Sequence, residues 1–598
     1  MGRPKRTQTR LYWLGAVLLS IASAAVVFWQ NGRLAVLWDL SYILENSYRI
    51  SLGEMPYRDF PFPYAPLTFL TQATLIKLTG RVFFHHVIYC AAMCAAATLM
   101  TWRILLKMLS EIPGSRPLAL ILTAPLTALG IYAVFPHPFY DPDCTFAVLL
   151  ALLLLISWTE ASVPSPQRSF LTGAVLVIPL FVKQNTGLGF ILSAGMVLLL
   201  IDILERQLRA KYIWLLAGLI ISFGSLIMLI HLTAGLNNYI RWTVKFAAER
   251  RAPAVGDMIG VYLDPLLKWW LAVFLIGLGG WWISRGRKVA SVLSLFVMAA
   301  PFTWPVVYLL LDIDASERAE RLVGLWPLLL IISFVIIVID LVRKRVNEIV
   351  VPVIVLGTVH AAFLSQQLWG STYALWPFFV ILLTGVIRFL IHLARIEFPL
   401  SASRDTLPPG VPWIMAFAII LSLSLLISGF FYIRSHERLD YANLDDGELT
   451  HSKLRPLQGL VMRGTWIPSF EELIEFSDKE IPYNDGILCL PGEDLFYYTT
   501  GRHPQFPVLL FDHTVNPFSP QAIVDLARSR NIQWLIVKDE LQMEEEPLEQ
   551  KAELMKLLLQ DFESVESLDN YEIYKRKTPN SDNDESDDGA DEEESQKP

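Results

Sequence analysis

Charge is scarce in this 598-residue chain. Charged residues make up 18% of it and apolar residues 54%, with a mean hydropathy of +0.44. An average soluble domain is about a quarter charged, so the length cannot be read as a string of soluble domains. A basic surplus is also missing. Residues 581–598 hold nine acids against one lysine, which accounts for the whole net charge of −8 and leaves the preceding residues neutral. No basic domain for nucleic acid is present. Cysteine is nearly absent. Cys90, Cys94 and Cys144 lie in or beside apolar runs, and with Cys489 they imply no disulfide framework. Cys90 and Cys94, four residues apart in an apolar helix, read as small buried hydrophobes rather than a metal or redox pair. The sequence also lacks internal repeats and, in its C-terminal part, any phosphate-binding glycine loop.

What the chain has in abundance is apolar runs. A basic N-terminus, residues 1–10 with Arg3, Lys5, Arg6 and Arg10, precedes an uncharged run from Leu11 to Trp29. That run is long enough for roughly 30 Å of hydrocarbon. It is too long, and too poor in a small-residue cleavage site, for a removed signal peptide. Twelve further runs follow, at about 84–106, 117–135, 144–158, 169–182, 187–203, 212–232, 266–284, 289–311, 322–341, 349–365, 372–394 and 411–433. The expected fold is therefore a polytopic α-helical membrane protein of about thirteen transmembrane helices over residues 11–433. Pro66–Leu78 is short and holds Gln72 and Lys77, so it reads as an interfacial helix. With thirteen spans, Arg206, Arg209, Lys211, Arg285, Arg287, Lys288 and Arg343-Lys344-Arg345 fall on the cytoplasmic side with the N-terminus. The outward loops are then 30–83, 136–143, 183–186, 233–265, 312–321 and 366–371.

Residues 434–576 read as a small extracytoplasmic α/β domain. Expected strands are Ile487–Pro491, Val508–Phe511, Gln533–Val537 and Tyr571–Tyr574, and expected helices Pro520–Arg528 and Leu548–Phe562. Without a glycine loop it reads as a covering or acceptor-binding domain. Residues 577–598 form an acidic, solvated tail with no apolar face to bury.

The outward loops carry the residues with chemistry. Asp39 stands ten residues beyond Trp29 in an apolar setting. Partial desolvation would raise its pKa and fit it for general-base work. It would equally serve a short helix N-terminus, and the residues alone leave both open. Asp141-Pro142-Asp143 opens a new helix, as Asp and Pro commonly do, or offers an acidic contact to an acceptor hydroxyl or a divalent cation. His137 reads as interfacial, because no spacing here fits a zinc site. Lys183 breaks two spans close to hydrocarbon, where an ammonium either snorkels or meets an anion such as a lipid phosphate. Arg241, Lys245, Arg250 and Arg251 add basic charge to an outward loop, against orientation preference. A phosphate ligand would compensate them, and so would Glu249 and Asp257. Asp312, Asp314, Glu317, Arg318 and Arg321 read as a self-neutralising loop. Gln367–Pro377 would line a cavity mouth or form an aromatic belt.

The order of these features resembles a known class. A long first outward loop opening with Trp38-Asp39, then Gly53-Glu-Met-Pro-Tyr57-Arg58-Asp59 and Tyr64-Ala-Pro66, an interfacial helix, and Tyr140-Asp141-Pro-Asp143 at the next outward turn resemble the GT-C membrane glycosyltransferases. The nearest branch is the bacterial family-39 type, related to protein O-mannosyltransferases and aminoarabinose-lipid A transferases. The resemblance covers about residues 10–400 in layout and is residue-specific only in those loops. It implies transfer of a sugar from a polyprenyl-phosphate donor, with inversion, to an acceptor hydroxyl of a glycan, lipid or protein at the outer face of a bacterial inner membrane. Asp39 would match the first-loop catalytic acid. Asp141 or Asp143 would match the second acidic position, which places the acceptor or a divalent cation. Arg58, Asp59 and Tyr64 would support the loop, and Lys183, Arg241, Arg250 and Arg251 are candidates for the donor phosphate. The chain departs from the mannosyltransferase Asp-Glu pair, since Leu40 follows Asp39. It departs from the aminoarabinose-branch Glu-Lys-Pro-Pro, since Arg58-Asp59-Phe60-Pro61 stands there. The competing classes are a transporter or flippase, disfavoured by few central charges and no repeat, and a non-catalytic scaffold.

Overall fold

The computed structural model describes the chain apart from residues 1–5, 113, 162–163, 206–210, 252–255, 257–259, 261, 264, 285–286, 312–321, 364–371, 398–410, 435–446, 543–547 and 579–598. The self-neutralising loop, the 367–371 part of the cavity-mouth segment and the acidic tail from 579 onward therefore lie outside the described residues.

Nine described helices are long and apolar enough to cross a membrane: Arg10–Asn31, Phe83–Met108, Tyr140–Thr159, Gln184–Leu204, Tyr212–Thr233, Leu266–Ile283, Val289–Tyr308, Leu325–Val342 and Pro412–Arg434. Three shorter apolar helices, Pro166–Val182, Asn347–Ala362 and Trp376–His392, accompany them. Their surfaces require lipid. Along Gln184–Glu205, Leu188, Leu192, Met196, Leu199 and Ile203 are exposed at helical spacing, while Phe190, Ala194, Val197 and Ile201 are buried. A soluble helix would not leave such a stripe in water. The buried side packs closely on Asn347–Ala362, where a Cβ on Gly357 would stand 1.9 Å from Ser193 Oγ. Such small-residue approaches draw helices together in lipid.

The elements that build the first half are α1 (Arg6–Asn31), α2 (Leu37–Ser51), α3 (Leu67–Thr79), α4 (Phe83–Met108), α5 (Ser115–Thr123), α6 (Tyr140–Thr159), α7 (Pro166–Val175), α8 (Ile178–Val182) and α9 (Gln184–Glu205). Twelve of the thirteen expected apolar runs are helices. The run at 117–135 differs. Its helix is only nine residues long, a 3-10 turn at Ala124–Thr127 carries Pro125 at its start, and irregular chain continues to Phe139. Leu126, Leu129, Ile131, Tyr132, Val134 and Phe135 are all buried. Irregular backbone is tolerated at such depth when protein, not lipid, surrounds it. Apolarity alone could not tell a buried turn from a span.

In the C-terminal segment, β1 (Leu449–His451) and β2 (Val461–Arg463) form a small antiparallel pair, and β3 (Gly486–Leu490), β4 (Ile532–Lys538), β5 (Phe562–Leu568) and β6 (Tyr571–Arg576) form one sheet. Its order is β3-β4-β6-β5, with β3 and β4 parallel and the other pairs antiparallel. The expected strand at Val508–Phe511 is absent: those residues are apolar and mostly buried but make no ladder. The expected helix to Phe562 ends at Leu558, and Phe562 opens β5 instead. β5 is mostly exposed, so it carried no apolar alternation to read. The helix Trp466–Glu480 was also not foreseen.

This segment grips the first loop. Arg81 Nη1 donates to Tyr498 O at 2.7 Å, Tyr48 Oη to Gly501 O at 2.6 Å, and the buried Arg49 to Pro507 O at 3.0 Å. Arg49 is held from the other side by Glu54 at 2.6 Å.

Candidate functional site

α2 carries Asp39, and its start is fixed from a distance. The N-cap residue, Val36, has no side chain able to cap. Gln542 does that work: Leu37 N–H donates to its Oε1 at 2.6 Å, and its Nε2 donates to Ala35 O at 2.9 Å. Gln542 is held by Glu493, which accepts its N–H at 2.9 Å and pairs with the buried Lys538. Asp39 lies in the first turn, half-buried, where the helix dipole favours a carboxylate. The C-terminal segment thus sets the helix end on which Asp39 sits.

The first loop then turns back on itself. Tyr57 holds a φ of +71°, a region side chains rarely adopt. It is pinned there by its N–H to Phe60 O at 3.1 Å and its hydroxyl to Tyr64 O at 2.7 Å. Tyr64 is thereby brought against Tyr42 (ring centroids 5.0 Å) and Tyr140 (4.9 Å).

Tyr140, the first residue of α6, is where separate segments meet. Its ring stacks on Phe139 at 4.4 Å, and its hydroxyl is bonded to that of Tyr64. The charges of Arg251, Asp141 and Asp39 all fall on its phenol. Arg251 follows a short helical stretch, Leu236–Arg250, interrupted by a π turn at Arg241–Phe246, a feature frequent at functional sites. The Arg251 guanidinium lies 4.2 Å over the Tyr64 ring and bonds the Tyr64 hydroxyl. Its Nη1 is buried and has no hydrogen-bond partner among the described residues. A buried guanidinium so placed on an aromatic face has an unused donor for a planar or tetrahedral anion. Burial is the main cause that pushes the phenols of Tyr42 and Tyr64 above their ordinary range, so both are neutral hydroxyls at physiological pH.

Lys183 meets an anion supplied by the fold itself. It ends α8 in extended conformation, and its ammonium pairs with Asp141, both side chains being under 10% exposed. It also stands 5.7 Å over the Tyr140 ring. The α8–α9 break that delivers it is tight: a Cβ on Gly187 would lie 2.2 Å from Leu180 N. Gln184 ties the break to the first loop through Pro63 O at 3.4 Å. Asp143 is satisfied too, accepting from Thr68 at 2.8 Å, Tyr89 at 2.8 Å and Tyr132 at 2.6 Å. Its carboxylate holds α3, α4 and α6 together.

The structure therefore gathers Asp39, Tyr64, Asp141, Lys183 and Arg251, and leaves the other named residues elsewhere. Arg58 and Asp59 form a local pair at 2.8 Å, with Asp59 also fastening Met55 N–H at 2.7 Å. Arg241 lies over Trp242 and Arg250 over Phe246, both arginines on exposed surface. His137 is buried beside Phe135. One residue was not foreseen: Asp512 of the C-terminal segment, whose charge falls on both Tyr42 and Tyr64. Nothing local in Phe511-Asp512-His513 signals this, because only the fold brings it over the first loop. Among the described residues no group of three or more His, Cys, Asp or Glu side chains could hold a metal. Asp141 is spent on Lys183, and Asp143 on three hydroxyls.

No protein-family model matches the chain, and no curated protein does. Among solved structures, the archaeal oligosaccharyltransferase AglB from Archaeoglobus fulgidus, in complex with an inhibitory peptide and a dolichol-phosphate, is 11% identical, with 89% of this chain and 70% of that one covered at a TM-score of 0.47. ArnT from Cupriavidus metallidurans, bound to undecaprenyl phosphate, is 10% identical, with 96% of this chain and 98% of that one covered at a TM-score of 0.44. At these TM-scores the likeness transfers no residue roles to this chain.

Proposed function

We propose that the protein is a membrane glycosyltransferase that moves a sugar from a polyprenyl-phosphate donor to an acceptor hydroxyl. The N-terminus is then cytoplasmic, and the site and C-terminal segment face the extracytoplasmic side. The observation that carries this reading is the Arg251 guanidinium on the Tyr64 ring, its buried Nη1 without a partner among the described residues, near a hydroxyl that also feels Asp39.

In this scheme Asp39 accepts the proton of the acceptor hydroxyl as its oxygen attacks the anomeric carbon. The bond from that carbon to the phosphate oxygen breaks on the opposite face, with inversion. The electron pair leaves on the lipid phosphate, and Arg251 stabilises the charge that develops there. A phosphate leaves without prior protonation, so no general acid is needed. Asp141 and Lys183 keep the Tyr140 end of α6 in place. Asp512 and the segment around it lie near Tyr42 and Tyr64 and are suited to meeting the acceptor.

The test is transfer of a labelled sugar from a polyprenyl-phosphate donor by the purified chain in lipid. Asp39→Asn loses transfer while keeping donor binding, and Arg251→Met weakens donor binding. A product of retained anomeric configuration would exclude direct displacement.

A further inference from the structure

A second cationic centre lies away from this site, where α1 and the helix Val411–Arg434 end. Gln30 Nε2 donates to Ile433 O at 2.8 Å, so the two spans finish side by side. Asn31 Nδ2 donates to Gly459 O at 2.8 Å, which brings the β1–β2 region over them. Three arginines gather at this junction: Arg33 just past α1, Arg434 at the end of its helix and Arg463 on β2. Arg33 loses basicity first to burial and then to the charges of Arg434 and Arg463. No ion pair to any of them occurs among the described residues. Arg463 spends one donor on Gly447 O at 3.0 Å, and Arg33 lies 4.6 Å over Trp29.

Arg33 is half-buried and Arg434 and Arg463 are exposed, so an anion arriving at this junction meets three like charges at once. A cleft of about 70 Å³ opens beside it, lined by Arg33 and Arg463 and by the polar side chains of Thr465, Gln542 and Asn570. Glu540 also lines the cleft, which therefore suits a zwitterionic or hydroxyl-bearing group as well as a bare anion. The neighbouring surface is aromatic and exposed. Trp29 stacks with Phe430 at 5.7 Å, and Phe431 is exposed beside them. Aromatic residues at the ends of spans mark headgroup level. A soluble phosphate would gain nothing from them, whereas a lipid would lay its glycerol and upper acyl chains there.

We propose that Arg33, Arg434 and Arg463 form a site for the phosphate of a membrane phospholipid, with the polar headgroup entering the adjacent cleft. This site is separate from the Tyr140 centre and does not depend on the transferase reading. Its role is to fasten the first loop, the last span and the C-terminal segment to the bilayer surface.

The experiment uses the full chain in mixed micelles with phosphatidylglycerol or phosphatidylcholine, read by native mass spectrometry for retained lipid. The expected result is selective retention of phosphatidylglycerol. It falls about tenfold or more in the triple Arg→Gln variant, as expected for losing three cations near a headgroup, and is largely restored in the triple Arg→Lys variant. Equal retention of the two lipids, or equal retention by wild type and the Gln variant, overturns the proposal. In a parallel arm, inorganic phosphate at millimolar concentration is expected to leave phosphatidylglycerol bound. Full displacement by phosphate assigns the site to a soluble anion and overturns the lipid assignment.

Discussion

The pairing of Lys183 with Asp141 makes a quantitative claim. Both side chains are buried and they meet directly. Removing one partner leaves the other charge unpaired in a poorly hydrated place, which costs about 3–5 kcal/mol. Lys183→Met also removes the cation over Tyr140, worth about 1 kcal/mol more. Removing both charges leaves no orphan, so the Asp141→Asn/Lys183→Met double variant should cost much less than the two single costs combined. The expected coupling is about 2 kcal/mol or more. The assay is equilibrium unfolding of the full chain in mixed detergent and SDS, followed by tryptophan fluorescence, for the four members of the cycle. Donor binding is measured alongside. Because Lys183 is spent on Asp141, the double variant should bind a polyprenyl-phosphate donor within several-fold of wild type. Additivity within about 0.5 kcal/mol, together with loss of donor binding in Lys183→Met, would refute this assignment and return Lys183 to the phosphate.

Arg251→Met should weaken donor binding about 10- to 100-fold, the value of about 1.5–3 kcal/mol for a charge-assisted contact, and Arg251→Lys should recover only part of it because the planar fork is lost; isothermal or fluorescence binding with the donor checks both. Asp143→Ala should destabilise the fold by about 3 kcal/mol, since three buried hydroxyls lose their acceptor, while transfer per folded molecule stays near wild type. Glu45 titrates visibly: burial, partly opposed by the N–H groups of Tyr498 and Tyr497, lifts its pKa from 4.5 to about 8. The folded state therefore binds the proton more tightly than the unfolded one. Stability from this group is full below about pH 4.5 and is lost as pH rises through about 8, at about 1.4 kcal/mol per pH unit. Glu45→Gln should flatten that slope in unfolding measurements from pH 5 to 8.

Periodicity and apolarity made the spans legible, because lipid imposes one pattern on every crossing helix. They failed at 117–135, where protein replaces lipid around an irregular chain, and at β5, whose exposed face carries no pattern. The site was legible in part. Asp39, Tyr64, Asp141, Lys183 and Arg251 announced themselves as polar groups in the outward loops between apolar runs. Which cation pairs with which acid was not legible, since Asp141 and Lys183 are 42 residues apart and only the α6–α8 packing joins them. The long-range cap from Gln542 and the approach of Asp512 had no local signature at all. The readings of Arg241 and Arg250 as phosphate ligands counted charge without knowing that the helical stretch turns both outward and presents Arg251 alone to the aromatic cluster.

The most direct measurement is single-turnover transfer by Asp39→Asn in reconstituted vesicles, with donor binding measured on the same sample. Removing a general base should lower the chemical step about 10²- to 10⁴-fold while leaving donor affinity and unfolding unchanged. Transfer at the wild-type rate would contradict the account, because the carboxylate near Tyr140 would then have no part in the reaction.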